Sequence, residues 1–559
     1  MKNNLQRAAR RLWAERALWL CAGVLVLLFY NLYLGQHYSP DTWSTAQYFK
    51  DIDAAGYSPA EKWALLYVPF AEQGRFVRGV LMFLLGMPNQ SSLMVSRFAN
   101  AVALLLFVCA FVCGVKTLLA AQEQGCGARR SLTGHARGES EDKAAPDGAA
   151  KRCRKASPAS RSMRVLCFLG TAVLLCNPFF CDWLQFAECA LIYPLGLLLA
   201  VLAARVLVTR WPVWVRVAVS ALLAVSAAGI YQITLQFFVL FVMLSAALRA
   251  VCAEHAQNGA RVAGQAAALA AQGFAAYLCA VASQYLFTSI LYQNTRISTD
   301  FSATVSMIFT AQRELWSMRY LGAPSILFAL CAALLAAAAA VALVWAVLKK
   351  RLSPAVPAVV LVAFAAYYTS VFVMMVIADG SIPHRTVVGF FGIPLFWTVC
   401  LAAALCVGCV PKKLSRLATG AAAAVLCVLL CFNWAHTQHL SLGLVRSNAQ
   451  DIALAREMQQ CISQYEQAED TPVHYAVFYR MPGYVVSYPD AFQTHDLNLR
   501  AWTAEWSRLP LLNTVNGTSY ENGTRSDAVY EEHFAGREWT AFSSGQVYCE
   551  GETAHIALY

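Results

Sequence analysis

Ala323–Leu348 reads APSILFALCAALLAAAAAVALVWAVL and is followed at once by Lys349, Lys350 and Arg351. No charged side chain interrupts the run, which exceeds the roughly 20 apolar residues a helix needs to cross the hydrocarbon of a bilayer. Within that hydrocarbon every backbone N–H and C=O must be satisfied inside the protein, so such a run crosses as a helix. The basic triplet marks the end that stays in the cytoplasm. The pattern recurs: apolar stretches cover residues 17–34, 93–118, 164–180, 190–208, 213–230, 232–249, 264–290, 323–348, 356–378, 387–410 and 417–434. The short loops expected on the cytoplasmic side carry Arg205, Arg210 and Arg216, then Arg249 and Arg261, then Lys349–Arg351, then Lys412, Lys413 and Arg416.

The whole composition agrees. Of 559 residues, 58% are hydrophobic and 13% charged, and the mean hydropathy is +0.49, too apolar for a water-soluble chain of this length. Much of the net charge of +11 sits in loops that orient helices, which argues against nucleic acid as a partner. The 19 cysteines fall mostly one at a time within apolar stretches, where Cys acts as a small hydrophobe. Cys406-Val-Gly-Cys409 has no second pair and lies inside a crossing, so it does not read as a zinc site.

The basic N-terminus, with Lys2, Arg7, Arg10, Arg11 and Arg16, precedes a run too long for a cleaved leader and is taken as cytoplasmic, the run itself as an anchor. Residues 121–163, rich in Gly, Ala, Ser and Pro around Arg129, Arg130, Lys151 and Arg152, are expected to be a disordered cytoplasmic loop. An odd number of crossings places 435–559 outside as a small α/β domain, leaving 1–434 as the membrane region. In the outer domain Asn448–Tyr465 reads as helix and Val473–Tyr479 as strand, Cys461 and Cys549 are candidates for a disulfide, and Asn516-Gly-Thr518 and Asn522-Gly-Thr524 match glycosylation sequons.

The outer loops carry residues that insertion does not explain. Tyr38-Ser39-Pro40-Asp41-Thr42-Trp43 and Tyr57-Ser58-Pro59 each put Ser before Pro, a helix-start signal, and Glu61 completes a capping box with Ser58. The first outer loop is therefore expected to form two interfacial helices, with Phe76–Met87 half-buried at the surface. Asp41 lies in a first turn, where a carboxylate complements the helix dipole. It is also placed to deprotonate an acceptor hydroxyl, with Asp51 and Asp53 as alternates. Arg75, Arg78, Arg296, Arg313, Arg319 and Arg385 all fall on the outer side, where an excess of Arg points to an anionic ligand such as a phosphate. His384-Arg385 heads a late apolar run, and Arg385 could instead pair with Asp379. Asp182 and Glu188, costly so near lipid unless paired or functional, are candidates either to pair with those arginines or to act directly on the substrate. Tyr231-Gln232 marks an outer turn, where Tyr is also a common interfacial anchor.

Taken in order, Ser39-Pro40-Asp41, Gly74-Arg75, Asn177-Pro178-Phe179, Tyr231-Gln232 and Arg385-Thr386 resemble the Gtr-type serotype-converting (O-antigen) glucosyltransferases of bacteria, over roughly residues 20–480. The resemblance implies an all-α polytopic membrane protein, GT-C-like, with about 11 transmembrane helices in the cytoplasmic (inner) membrane. It implies a glycosyltransferase that moves glucose from a polyprenyl-phosphate donor to a lipid-linked glycan or surface polysaccharide. Such enzymes often carry two consecutive acids after the first helix; here Asp41 stands alone between Pro40 and Thr42. With Asp41 as base and Arg75, Arg296 and Arg385 on the phosphate, the reaction inverts the anomeric carbon and needs no metal or other cofactor. Two rivals remain at this level: a transporter or lipid-sugar flippase, and a membrane O-acyltransferase, for which His37 is the early histidine, or a polysaccharide polymerase.

Overall fold

The computed structural model of the protein describes residues 15–35, 37–85, 97–135, 158–253, 259–293, 300–321, 325–372, 383–407, 410–493 and 497–559. Helix α1 (Arg16–Tyr30) leads into a first loop folded as α2 (Pro40–Ala54), α3 (Pro59–Ala71) and α4 (Phe76–Leu85). Next come α5 (Arg97–His135), α6 (Pro158–Leu175), the short α7 (Cys181–Leu184), α8 (Ile192–Leu207), α9 (Val213–Ile230), α10 (Leu235–Cys252) and α11 (Gly259–Tyr285). They are followed by α12 (Phe301–Ser317), α13 (Leu327–Leu348), α14 (Ala355–Phe372), α15 (Gly392–Cys406) and α16 (Lys412–Glu469). The C-terminal region contains β1 (Tyr475–Arg480), α17 (Glu505–Asn516), β2 (Glu521–Asn522), α18 (Asp527–His533), β3 (Val547–Glu550) and β4 (Thr553–Leu558).

Among the described residues ten helices are long and apolar enough to cross a membrane, or eleven if the bent pair Arg161–Leu175 and Pro178–Leu184 is one span. The protein is thus a polytopic all-α membrane protein with a small C-terminal strand region, as the apolar runs require. The crossing that contains α15 is buried from Val388 to Leu405, while α13 leaves Leu330, Leu334, Val341 and Val344 exposed. A helix apolar all round belongs at the centre of a bundle, and exposed leucines and valines on the outer helices are what lipid solvates.

Three expectations are corrected. The run 164–180 does not cross as one straight helix: it breaks at Asn177-Pro178 and bends by 41°. Pro removes a donor and clashes with the preceding turn, and the freed groups are satisfied locally. Asn177 donates to Leu174 O at 2.6 Å and accepts from Phe179 N at 2.9 Å; Tyr30 Oη lies 3.0 Å from the carbonyls of Leu175 and Asn177; Asn433 Nδ2 donates to Cys176 O at 2.9 Å. Second, the expected disordered loop 121–163 is shorter at both ends, since α5 runs to His135 and α6 starts at Pro158. Leu118 to Gln124 supplies strong helix formers that continue the crossing; residues 136–157 lie outside the described residues. Third, Cys461 and Cys549 are free thiols, although α16 packs on β3. Burial, reinforced by Cys461, pushes the Cys549 thiol up to about 12, and a thiol held protonated is a poor nucleophile for exchange.

The last crossing and the helix at Asn448–Tyr465 are one object: α16 spans 58 residues without a break, about 87 Å at 1.5 Å per residue. Gly443 lies within it because the C-terminal region approaches there; a Cβ would meet Asn498 Nδ2 at 2.5 Å, and that nitrogen donates to Leu440 O at 3.1 Å. The strands form one sheet in the order β2-β1-β4-β3, with β1 parallel to β2 and β4 and β3 antiparallel to β4. Leu454, Met458 and Ile462 of α16 pack with Trp502, Leu511, Leu512 and Ile556, and Trp43 of α2 joins this cluster. The first loop is therefore welded to the C-terminal region. Tyr38 stacks on Trp43 with centroids 4.0 Å apart, and the Tyr38 backbone exchanges two 2.6 Å hydrogen bonds with the Asn448 side chain.

Candidate functional site

Arg75, Arg78, Asp182, Glu188, Tyr231 and Arg385 come together where the turn between α3 and α4, the broken segment after α6, the turn between α9 and α10 and the head of the α15 crossing meet. By alternation of the crossings this is the face opposite the Lys/Arg loops. Its floor is aromatic: Tyr193 and Tyr231 stack with centroids 4.6 Å apart, and Trp183 sits 5.6 Å from Tyr193 and 5.8 Å from Tyr231. Tyr231 is buried rather than a lipid-interface anchor. It feels the charges of Arg385, Arg75, Asp182 and Arg78 together, and burial raises its phenol above the usual range.

The cations are arranged around that floor. Arg75 lies 5.2 Å from the Tyr231 ring centroid. Arg78 lies 4.4 Å from Phe70, and its Nη1 donates to Tyr193 Oη at 3.1 Å. Nε of each arginine is buried without a hydrogen-bond partner among the described residues. Loss of hydration lowers the Arg75 pKa from its ordinary value, and Arg78 pushes the same way. Arginine nevertheless stays charged. Two neighbouring guanidinium groups over aromatic faces, with donors to spare, form a place where an anion gains and water is scarce.

Carboxylates close the ring. Asp182 accepts from Arg385 N at 2.9 Å, Arg385 Nη1 at 3.2 Å and Gln185 Nε2 at 2.6 Å. Trp183 Nε1 donates to Arg385 O at 3.0 Å, and the guanidinium lies 5.2 Å from the Phe186 ring. Asp182 is therefore paired with an arginine, Arg385. Glu188 accepts from Thr42 Oγ1 at 2.7 Å; Thr42 also closes a reciprocal capping box with Ser39. Asp41, one residue earlier, is exposed, and its Oδ1 accepts from Trp506 Nε1 at 3.0 Å.

Other candidates lie elsewhere. Asp51 and Asp53 sit at the far end of α2, about 15 Å from Asp41 at helical rise; Asp51 accepts from Gln47 and Asp53 pairs with Lys62 at 2.9 Å. Arg313 and Arg319 are exposed. Arg296 and Asp379 lie outside the described residues. His384 is buried with its ring 4.9 Å from that of Phe179. His37 is buried, with Nε2 2.6 Å from Leu184 O and Nδ1 3.3 Å from Gly35 O. Burial lowers its pKa. Its 2.6 Å contact from Nε2 to Leu184 O ties the segment after α1 to α7.

Gln232 holds the Arg75 loop: its Nε2 donates to Gln73 O at 2.7 Å and Gln284 Oε1 at 2.9 Å. Gly74 permits this, with φ +74° and a Cβ position that would collide with Gln284 Oε1 and lie 3.1 Å from Gln232 Nε2. Gly74→Ala is expected to cost about 1–2 kcal/mol in backbone alone, to displace Arg75 and to weaken anion binding there. A lowered Tm with a raised Kd for inorganic phosphate checks this. Gln236 fixes the loop before α15, donating to Thr386 O at 2.7 Å and accepting from Gly389 N at 3.0 Å.

Sequence reading did not single out Thr42, Trp183, Tyr193, Gln236 or Trp506. Trp183 follows Asp182 directly, and a Trp between an acid and a Gln in a short loop was a usable signal. Trp506 stands 465 positions from Asp41, and nothing local links them.

No curated protein and no solved structure matches the chain. Asp41, Arg75, Arg78 and Trp506 lie outside the one stretch that matches a known family. That stretch, residues 160–402, carries Asp182, Glu188, Tyr193, Tyr231, Gln232 and Arg385, and its match to the family model for glucosyl transferase GtrII supports placing the chain among the Gtr-type glucosyltransferases.

Proposed function

We propose that the protein transfers a glucosyl group from a polyprenyl-phosphate donor to a lipid-linked glycan or surface polysaccharide on the outer side of the bacterial cytoplasmic membrane. In this reading the N-terminus is cytoplasmic and residues 435–559 form an extracytoplasmic domain. The observation that carries the proposal is the gathering of Arg75, Arg78 and Arg385 around one aromatic floor, to which the exposed Asp41 is linked through its neighbour Thr42, bonded to Glu188. A phosphate held by guanidinium groups leaves with its charge compensated, and aromatic walls suit the polyprenyl–sugar junction. Asp41 takes the proton of the acceptor hydroxyl; its oxygen attacks the anomeric carbon; the bond from that carbon to the phosphate oxygen breaks, and the electron pair leaves on the phosphate. Attack opposite the leaving group inverts the centre.

The test is transfer by the full-length protein in nanodiscs, supplied with radiolabelled polyprenyl-phosphate glucose and a panel of lipid-linked glycans. Label is expected to move to a glycan. Movement of the donor lipid across the bilayer without transfer would assign the protein to flipping instead. Because arginines take the leaving-group charge, transfer is expected to continue unchanged in EDTA; loss in EDTA, restored by a divalent ion, would refute metal independence.

A further inference from the structure

Trp506 near the start of α17 is 61% exposed, yet its position is fixed. Its Nε1 donates to Asp41 Oδ1 at 3.0 Å, α17 packs along α2, and Trp43 of α2 is buried in the core of the C-terminal region. Burial of apolar surface does not account for the ring, since most of it faces solvent. The hydrogen bond alone does not require a tryptophan, since any donor would serve. An indole clamped at its edge, with its face open beside a carboxylate, has the two chemistries a pyranose ring needs. The C–H face of a sugar stacks on the π surface, and the hydroxyl rim hydrogen-bonds to the acid. Trp, with an apolar ring and a polar N–H, is enriched at interfaces for this reason.

We infer that Trp506 and Asp41 form the acceptor subsite, in which a neutral saccharide ring stacks on the indole and presents a hydroxyl to Asp41. This rests on the glucosyltransferase reading given above and extends it by assigning the C-terminal region a substrate-binding role. The layout separates two substrates: the anion sites at Arg75, Arg78 and Arg385 lie over the buried floor, and Trp506 lies on the side from which a water-borne or lipid-linked glycan arrives. Thr42 joins them, being adjacent to Asp41 and bonded to Glu188 at 2.7 Å.

The test uses the full-length protein in nanodiscs and two probes without turnover: soluble neutral oligosaccharides containing hexose and 6-deoxyhexose residues, followed by saturation-transfer NMR, and a short-chain polyprenyl-phosphate glucose. Trp506→Ala is expected to raise the oligosaccharide Kd about tenfold, equal to about 1.4 kcal/mol, while Trp506→Phe, which keeps a stacking face, retains most of the binding. Arg78→Ala is expected to keep oligosaccharide binding and lose the donor. In turnover, Trp506→Ala is expected to raise the acceptor KM more than it lowers kcat. Oligosaccharide binding that is equal in wild type and Trp506→Ala, or absent from the wild type, overturns the inference. Binding that depends on Trp506 without any glycosyl transfer would overturn the transferase reading and leave the saccharide site standing.

Discussion

Asp41→Asn is expected to reduce glycosyl transfer by about two to four orders of magnitude, the range a positioned general base supplies. The substitution isolates the chemistry. Asparagine keeps an oxygen to accept from Trp506 Nε1, which lies 3.0 Å from Asp41 Oδ1, and leaves the Ser39 cap of α2 untouched. No arginine contacts Asp41 among the described ion pairs, so donor affinity and Tm should stay at wild-type values. Transfer rate, donor Kd and Tm measured together decide the matter. A fall of less than about tenfold, smaller than general-base catalysis provides, would move the base to another group. Glu188 would then be next, reached through Thr42.

Arg385→Ala is expected to destabilise the protein. It strips Asp182, which is buried, of its 3.2 Å partner. Removing one member of a buried pair typically costs about 3–5 kcal/mol. Gln185 and the backbone N–H of residue 385 still donate to Asp182, so the lower end, about 3 kcal/mol, is expected here. A second substitution separates structure from function. Adding Asp182→Asn to Arg385→Ala removes the orphaned charge and should recover most of the lost Tm, while transfer stays lost because the cation is still missing. If the double variant recovers transfer with stability, Arg385 serves only to close the loop.

The crossings were legible because lipid imposes a length and an apolar composition that nothing else in a sequence imitates. Ser39 and Ser58 were legible for a similar reason: N-cap chemistry is local, and both caps form with the geometry that Ser-Pro implies. What was not legible is non-local. The run 164–180 looks continuous until one sees Tyr30 and Asn433, from other helices, paying for the break at Asn177. Asp182 and Arg385 are each conspicuous, yet only the fold pairs them across about two hundred residues of chain. Arg385 instead had Asp379 as its visible neighbour, since sequence favours partners close in number. Asp51 and Asp53 resembled alternates to Asp41 because an acid's role depends on where its helix ends, and α2 carries them away from the cluster.

The unbroken α16 has an implication for how such a protein could diversify. A rod of 58 residues transmits rotation as well as distance: one inserted residue turns everything beyond it by about 100° and lifts it by about 1.5 Å. The segment between the bilayer and Asn448 is therefore phase-locked, and the partner of Asp41 would swing off its mark with a single insertion. Any exchange of the part beyond Asn448 would have to keep helical phase, so change is more readily accommodated in the surface loops of the C-terminal region than in the length of the rod.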